Sequence, residues 1–177
     1  VEERNKKLIE YAETSSLNTV EDNGSEIGVI TSGITYQYSK EALGNSVNYL
    51  KLGMVYPLPI DLIKNFAKGL KKVYVIEELD AFIEEHCNDI GVEVIGKQAF
   101  TMLGEYTPEM IKKVVLGIDG VERCELTENI PARPPVLCPG CPHRATFFVL
   151  KKLGLTVSGD IGCYTLGALP PFRAIDS

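Results

Sequence analysis

Apolar residues along this chain fall into two kinds of run, and the difference between them sets the expected elements. From residue 27 to residue 117, short β-branched stretches alternate with longer stretches in which apolar residues recur every three or four positions. That alternation is the pattern of an α/β domain. IGVITSG (27–33) is a β-branched run closed by glycine, so it predicts a buried strand leading into a helix over 36–43. VNYLKLGMV (47–55) predicts the next strand, and Pro59 then stands where proline suits the first turn of the helix IDLIKNFAKGL. A further strand is predicted over 72–78, a short helix with a glycine stop in AFIEEHCNDIG, a strand over 92–95, and a helix from Pro108 in TPEMIKKVVLG. Upstream, KKLIEYAETSSLN predicts a helix ending near Ser15, and the polar EDNGSE from Glu21 predicts a turn.

After Ile118 the periodicity stops. DGVERCELTENIPARPP offers few residues for a core face and carries three prolines between Pro131 and Pro135, which predicts a linker over 119–134. The expected organisation is an N-terminal helix and linker (1–24), an α/β domain (25–118), the linker, and the first part of a second domain (135–177). In that last part PHRATFFVLKKLGL predicts a helix with Pro142 at its first turn, and TVSGDIGC predicts a strand followed by a glycine turn. One strand, one helix and a loop bury too little to stand alone.

Composition removes several function classes. The chain has 177 residues, 45% hydrophobic and 24% charged, and no apolar run approaches the roughly 18 residues of a membrane span. VEERNKKLIEYAE lacks the apolar centre of a signal peptide, so the expected location is the cytoplasm. A net charge of −6 speaks against nucleic acid as the main partner, because phosphate binding requires a basic face. Five cysteines, an odd number, speak against a disulfide framework and for reduced or metal-bound thiols.

Three of those thiols are the candidates for chemistry. Cys138 and Cys141 form a C-x-x-C in which Pro139 and Gly140 build a turn, and Pro142 starts a helix whose N-terminus favours thiolates. Cys163 follows Gly159 and Gly162 at a second glycine turn. Two such turns can bring three sulfurs together for a soft metal or an iron-sulfur cluster, with His143 or a cysteine from elsewhere as a fourth ligand. Zinc, a redox-active dithiol and a plain pair of small buried thiols remain open alternatives on spacing alone. Other conspicuous residues have plain structural expectations. Glu77, Glu78 and Asp80 are expected at a solvated strand end, His86 at the surface, Cys87 half-buried, and Cys124 isolated in the linker. Thr31, Ser32 and Gly33 are expected to form a strand-to-helix turn with Thr35 as cap, and Tyr56–Pro59 a shape-setting loop.

The stretch RPPVLCPGCPHRATFFVLKKL followed by GDIGCYTLGALPP resembles the start of the thiamine-diphosphate-binding region in alpha subunits of indolepyruvate:ferredoxin oxidoreductases, a family of 2-oxoacid:ferredoxin oxidoreductases. GVITSGITYQYSKEAL, YLKLGMVYPLP and VYVIEELDAFIE are similar to the preceding domain of those subunits, which in the wider superfamily has the fold of the transketolase C-terminal domain. The resemblance implies a three-layer α/β sandwich with a mainly parallel sheet, followed by the start of a thiamine-diphosphate-binding domain. It implies oxidative decarboxylation of aryl pyruvates to aryl-acetyl-CoA. The implied cofactors are thiamine diphosphate, Mg²⁺ and an iron-sulfur cluster, and the implied partners a beta subunit, ferredoxin, coenzyme A and the aryl pyruvate substrate.

Residue by residue, the resemblance implies that Cys138, Cys141 and Cys163 serve a cluster and that Gly162, Cys163, Tyr164 and Thr165 face the cofactor. His143 and Arg144 are implied to meet a substrate carboxylate or cofactor phosphate. One departure stands out: thiamine enzymes hold Mg²⁺ and the diphosphate with G-D-G and a later Asn, whereas GDIG at 159–162 has isoleucine in place of the second glycine. The chain is therefore expected to be a piece of a longer subunit, inactive and without bound thiamine diphosphate when alone. The alternatives are a metal- or cluster-binding interaction module and a non-catalytic assembly domain.

Overall fold

A computed structural model describes residues 1–120 and 129–176, which fall into two compact units, Val1–Arg123 and Cys124–Ser177. Cys124 lies outside the described residues, so the expectation attached to it does too.

The first unit is built on a four-stranded sheet of β1 (Thr19–Glu21), β2 (Ile27–Ser32), β3 (Asn48–Leu52) and β4 (Lys72–Ile76) in the order β1-β3-β2-β4. β2 runs parallel to both β3 and β4, while β1 runs antiparallel along β3 with Val20 opposite Leu50. The side chains of the central strands alternate between two faces, as the pleat requires. Ile30, Leu50, Leu52, Val73 and Val75 pack with Ile63 of α3 (Ile60–Ala67) and with Ile83 and Cys87 of α4 (Phe82–Asp89). Val29, Tyr49, Tyr74 and Ile76 pack with Leu43 of α2 (Gly33–Leu43) and with Ile111 and Val115 of α5 (Pro108–Leu116). Both faces are thus covered, which is why β2 is buried from Gly28 to Thr31 without alternation. This is the three-layer α/β sandwich with a mainly parallel sheet that was expected.

Local signals account for the element ends. Thr107 caps α5 by accepting from the Met110 N–H (3.3 Å), Pro108 occupies the first turn, and Gly117 closes the helix at φ +69° with its N–H on the Lys113 carbonyl (3.0 Å). The N-terminal helix α1 (Glu2–Thr14) and β1 are fastened to the sheet and its helices. Glu13 accepts from the Asp61 and Leu62 N–H groups (3.0 and 2.9 Å), satisfying free donors at the start of α3. Asn18 donates to the Ala12 carbonyl (2.9 Å) and accepts from the Met54 N–H (3.0 Å).

Two strand expectations are corrected. The segment 92–95 forms a single parallel bridge, Tyr74 with Ile95, through the Val75 N–H on the Ile95 carbonyl (3.0 Å) and the Ile95 N–H on the Val73 carbonyl (2.8 Å). The Val92 N–H is already used by the Cys87 carbonyl (2.8 Å), and the chain turns at Gly96, so no ladder can extend. In the second unit TVSGDIGC is not a strand. Val157 exchanges bonds with Asp176 alone, its N–H to Oδ2 and its carbonyl from the Asp176 N–H, both 2.8 Å, because the described part of this unit contains no neighbouring strand to pair with. The helix expected after Pro142 does form, as α6 (His143–Leu153) closed by Gly154 at φ +62°. It buries Phe147 against Leu137 and Ala174, and those three residues are the unit's buried apolar core among the described residues.

Candidate functional site

The C-x-x-C forms a closed turn. The Cys141 N–H donates to the Cys138 carbonyl (3.1 Å) across Pro139 and Gly140, and Gly140 takes φ +71°, a conformation that a side chain would strain. Arg144, one turn into α6, ties the turn down: Nη2 donates to the Leu137 carbonyl (2.6 Å) and Nε to the Cys138 carbonyl (3.1 Å). Part of the guanidinium implied for a carboxylate or phosphate is therefore committed to main-chain carbonyls. An apolar groove of about 490 Å³ runs beside it, walled by Pro134, Leu137, Leu166, Pro171 and Phe172.

His143 joins this turn to the second one. Its Nδ1 lies 3.3 Å from the Cys141 sulfur, and its ring meets the Tyr164 ring edge-on at 5.2 Å between centroids. Tyr164 also packs edge-on against Phe147 (6.2 Å), so the GDIGCYTLG segment rests on the core residue of α6. Gly162 bends the chain at φ +102° just before Cys163, and Thr165–Gly167 form one 3-10 turn. The structure thus gathers Cys141, His143 and Tyr164, with Arg144 on the neighbouring carbonyls. Cys138 and Cys163 are exposed, and Cys141 is half-buried.

The implied cofactors can be tested against these positions. Among the described residues, which include Cys138, Cys141, Cys163 and His143, no group of three or more His, Cys, Asp and Glu side chains is arranged to hold a metal ion. Asp160, the acidic residue of GDIG, accepts from the N–H of its own neighbour Ile161 (2.7 Å). The described residues thus form neither a closed cluster site nor a site for Mg²⁺.

In the first unit, a cleft of about 370 Å³ opens at the carboxyl ends of the parallel strands, lined by Ser32, Thr35, Val55, Glu77, Leu79 and Phe82. The helices after β2 and β4 leave to opposite faces here, which is where open α/β sheets bind ligands. Several plain expectations are corrected at this end. Glu77 is not solvated: it is 8% exposed and accepts from the Ile83 and Glu84 N–H groups (2.8 and 3.0 Å), capping α4 from the strand end. Burial pushes its carboxyl above the usual range against the pull of those N–H groups and of Lys97. Glu78 accepts from the Tyr106 N–H (2.8 Å) and is half-buried, while Asp80 is exposed.

Leu79 holds this loop at φ +59°, and no residue in the sequence announces that fold-back. Thr35 is not a cap, because α2 already begins at Gly33. Its hydroxyl instead donates to the Ser32 carbonyl (2.7 Å) and lies 2.7 Å from the Thr31 hydroxyl. Cys87 is fully buried, with its thiol pushed up to about 12 by desolvation. His86 is half-buried, and its Nε2 is buried without a partner among the described residues.

A second cavity in this unit, about 700 Å³, lies at the opposite end of the sheet between Lys64, Lys68, Lys71, Lys72 and the 90–95 segment. α3 and α4 both end there, with Lys64 in the last turn of α3, where a cation suits the negative helix end, while Lys71 pairs with Glu26 (2.7 Å). The residues singled out for chemistry are elsewhere.

Fold and site together define an α/β protein with a doubly covered parallel sheet, followed by a unit organised around a cysteine turn at a helix start. By sequence the chain is similar to proteins named indolepyruvate oxidoreductase subunit IorA. It is 38% identical to the subunit of Methanothermobacter marburgensis over 199 residues, 40% to that of Methanothermobacter thermautotrophicus over 197, and 36% to that of Pyrococcus horikoshii over 196. These matches take in 97–98% of this chain and 30–32% of the relatives, so the chain spans about a third of the length of the curated relatives it matches. No protein-family model matches. A solved structure titled 2-oxoglutarate:ferredoxin oxidoreductase from Magnetococcus marinus, with 2-oxoglutarate, coenzyme A and succinyl-CoA bound, is 25% identical. The likeness covers 56% of this chain and 19% of that one, with a TM-score of 0.49.

Proposed function

We propose that this chain is part of the alpha subunit of a 2-oxoacid:ferredoxin oxidoreductase that converts aryl pyruvates, indolepyruvate among them, to aryl-acetyl-CoA while reducing ferredoxin. The observation that carries this reading is the 38% identity to an IorA subunit over 98% of the chain, which takes in both units. In such an enzyme thiamine diphosphate would supply the carbanion chemistry, coenzyme A would take up the acyl group, and iron-sulfur clusters would carry electrons to ferredoxin.

Within that reading the first unit is the scaffold, rigid because its sheet is packed on both faces. The second unit brings His143, Arg144, Gly162, Cys163, Tyr164 and Thr165 toward the cofactor. Cys138, Cys141 and Cys163 are the thiols offered to a cluster, which needs them drawn closer than they stand here. A beta subunit is the proposed partner and the cytoplasm the proposed location. No described helix is long and apolar enough to cross a membrane.

The test is anaerobic co-production of the full-length subunit containing this chain with its partner subunit, followed by an assay of indolepyruvate- and coenzyme-A-dependent ferredoxin reduction. Turnover that prefers aryl over aliphatic 2-oxoacids is expected. Cofactor-loaded enzyme that reduces no ferredoxin with any 2-oxoacid would overturn the reading. The chain of residues 1–177 alone is expected to be inactive in the same assay, because GDIG at 159–162 lacks the second glycine of the metal-diphosphate motif, and measurable turnover by it would contradict that point.

A further inference from the structure

We propose that the carboxyl end of the first unit's sheet is a docking face for the partner subunit, which meets it with an apolar segment flanked by lysines. The inference rests on the reading of the chain as part of a two-subunit oxidoreductase.

Each of the parallel strands delivers exposed apolar residues to this end. Ile34 follows β2, Val55 and Tyr56 follow β3, and Leu79 and Phe82 follow β4. These five are 42–69% exposed, and all but Tyr56 line the cleft of about 370 Å³. Single apolar residues on a surface are ordinary, but a group of this size around one concavity marks a surface that another protein covers.

The fold holds its anchor outward. Leu79 stands at φ +59°, a strained conformation for leucine, and the residues beside it are pinned. Lys97 Nζ donates to the Glu77 carbonyl, the Glu77 carboxyl group accepts from the Ile83 and Glu84 N–H groups, and Glu78 accepts from the Tyr106 N–H (2.8 Å). Turning Leu79 inward would break these bonds.

Charge selects the partner. The cleft carries Glu77, Glu78 and Asp80, and no Lys, Arg or His is among its described lining residues. Lys97 is committed to the Glu77 carbonyl and the Tyr106 hydroxyl (3.0 Å). Glu77 is spent on α4, which leaves the exposed Asp80 and the half-buried Glu78 to face a partner. A lysine-flanked segment complements that rim and is steered to it. A second copy does not fit. Two-fold pairing of this face with itself opposes carboxylates, and pairing with the lysine-lined cavity at the other end of the sheet runs head to tail, which extends to a ring or a filament. The carboxylates also suit a contact made between chains, because they keep an apolar face soluble until its partner arrives.

The test uses the full-length subunit containing this chain and its partner subunit, both cofactor-loaded and kept anaerobic. Carbodiimide, which joins carboxylates to amines in direct contact, is applied to the assembled enzyme, and the products are mapped by peptide mass. A cross-link from Asp80 or Glu78 to a lysine of the partner subunit is expected. Association of the two subunits is then titrated. Leu79→Asn removes the anchor and tolerates the left-handed backbone, while Asp80→Lys reverses the rim charge. Each should raise the Kd at least about tenfold, with hydrogen exchange in β2 and β4 as in the wild type. Added salt should weaken the wild-type pair more than the Asp80→Lys pair. A wild-type Kd in both variants, or cross-links from these carboxylates confined to their own subunit or to a second copy, would overturn the proposal. Ferredoxin reduction by the assembled wild-type enzyme is a separate measurement. Turnover together with unaffected variants refutes the docking face alone, whereas a wild-type enzyme that turns over no 2-oxoacid refutes the oxidoreductase reading.

Discussion

The two units differ in how many layers share the work of burial. In the first, one sheet presents both faces to helices, and residues such as Val29, Ile30, Tyr49, Leu50, Ile63 and Ile76 are wholly buried. In the second, α6 and its flanking turns bury Leu137, Phe147 and Ala174. Meanwhile Phe148, Leu153, Leu155 and Ile161 stay 54–89% exposed. Each fully buried large apolar side chain contributes about 1.5–3 kcal/mol, so the first unit has a wide margin over its ordering entropy and the second a narrow one. The candidate chemistry belongs to the weakly packed unit, where it is held by hydrogen bonds and turn residues more than by core.

Truncating one core residue in each unit tests that contrast most severely. Leu50→Ala is expected to cost about 2–5 kcal/mol and leave the first unit folded at room temperature. Phe147→Ala removes the central residue of a three-residue core and a nominal 3–5 kcal/mol, about the whole margin of so small a unit. Peptide-resolved hydrogen exchange should then show protection lost throughout 135–176 and retained in β2, β3 and β4. Protection retained in both units would mean that the second is better packed than its buried residues indicate.

A smaller effect is expected from the hidden cap in the first unit. Glu77→Ala removes two hydrogen bonds to the start of α4 and should cost about 2 kcal/mol, read by urea denaturation. A loss within a few tenths of that seen for Asp80→Ala, at the exposed end of the same loop, would show that the cap contributes nothing.

The smallest expected effect is a pair of opposite pH slopes. Lys40 (2.8 Å) and the Tyr36 hydroxyl hold the Glu21 carboxyl below its usual range. Its contribution is therefore present above the ordinary glutamate pKa and lost as pH falls. Burial holds Glu77 above that range, so its contribution is complete below the ordinary value and lost as pH rises through the raised one. Thermal midpoints of Glu21→Gln should flatten the loss on acidification, and those of Glu77→Gln the loss on neutralisation. Slopes of the same sign in both variants would refute the assignment.

Much of the first unit was legible in the sequence because its signals are local. A β-branched run buried on both faces, Pro108 behind Thr107, and glycine at a helix end each specify structure within a few residues. The helix after Pro142 and the turn through Gly140 were legible for the same reason. What failed depended on distant partners. TVSGDIGC has the composition of a strand but no neighbouring strand among the described residues of its unit, and 92–95 has a neighbour but bridges it at one residue alone. β1 went unseen because three residues at an edge carry no pattern of their own.

The sequence by itself marked the candidates for chemistry: three thiols, a histidine and an arginine placed at turns by proline and glycine. Tertiary structure alone decided that Glu77 is buried as a cap, that Arg144 spends part of its guanidinium on carbonyls, and that Cys141 meets His143 and, through it, Tyr164. The reason is physical. Backbone preference is set by a residue and its immediate neighbours, whereas burial and side-chain pairing are set by whatever the fold brings alongside, at any separation in the chain.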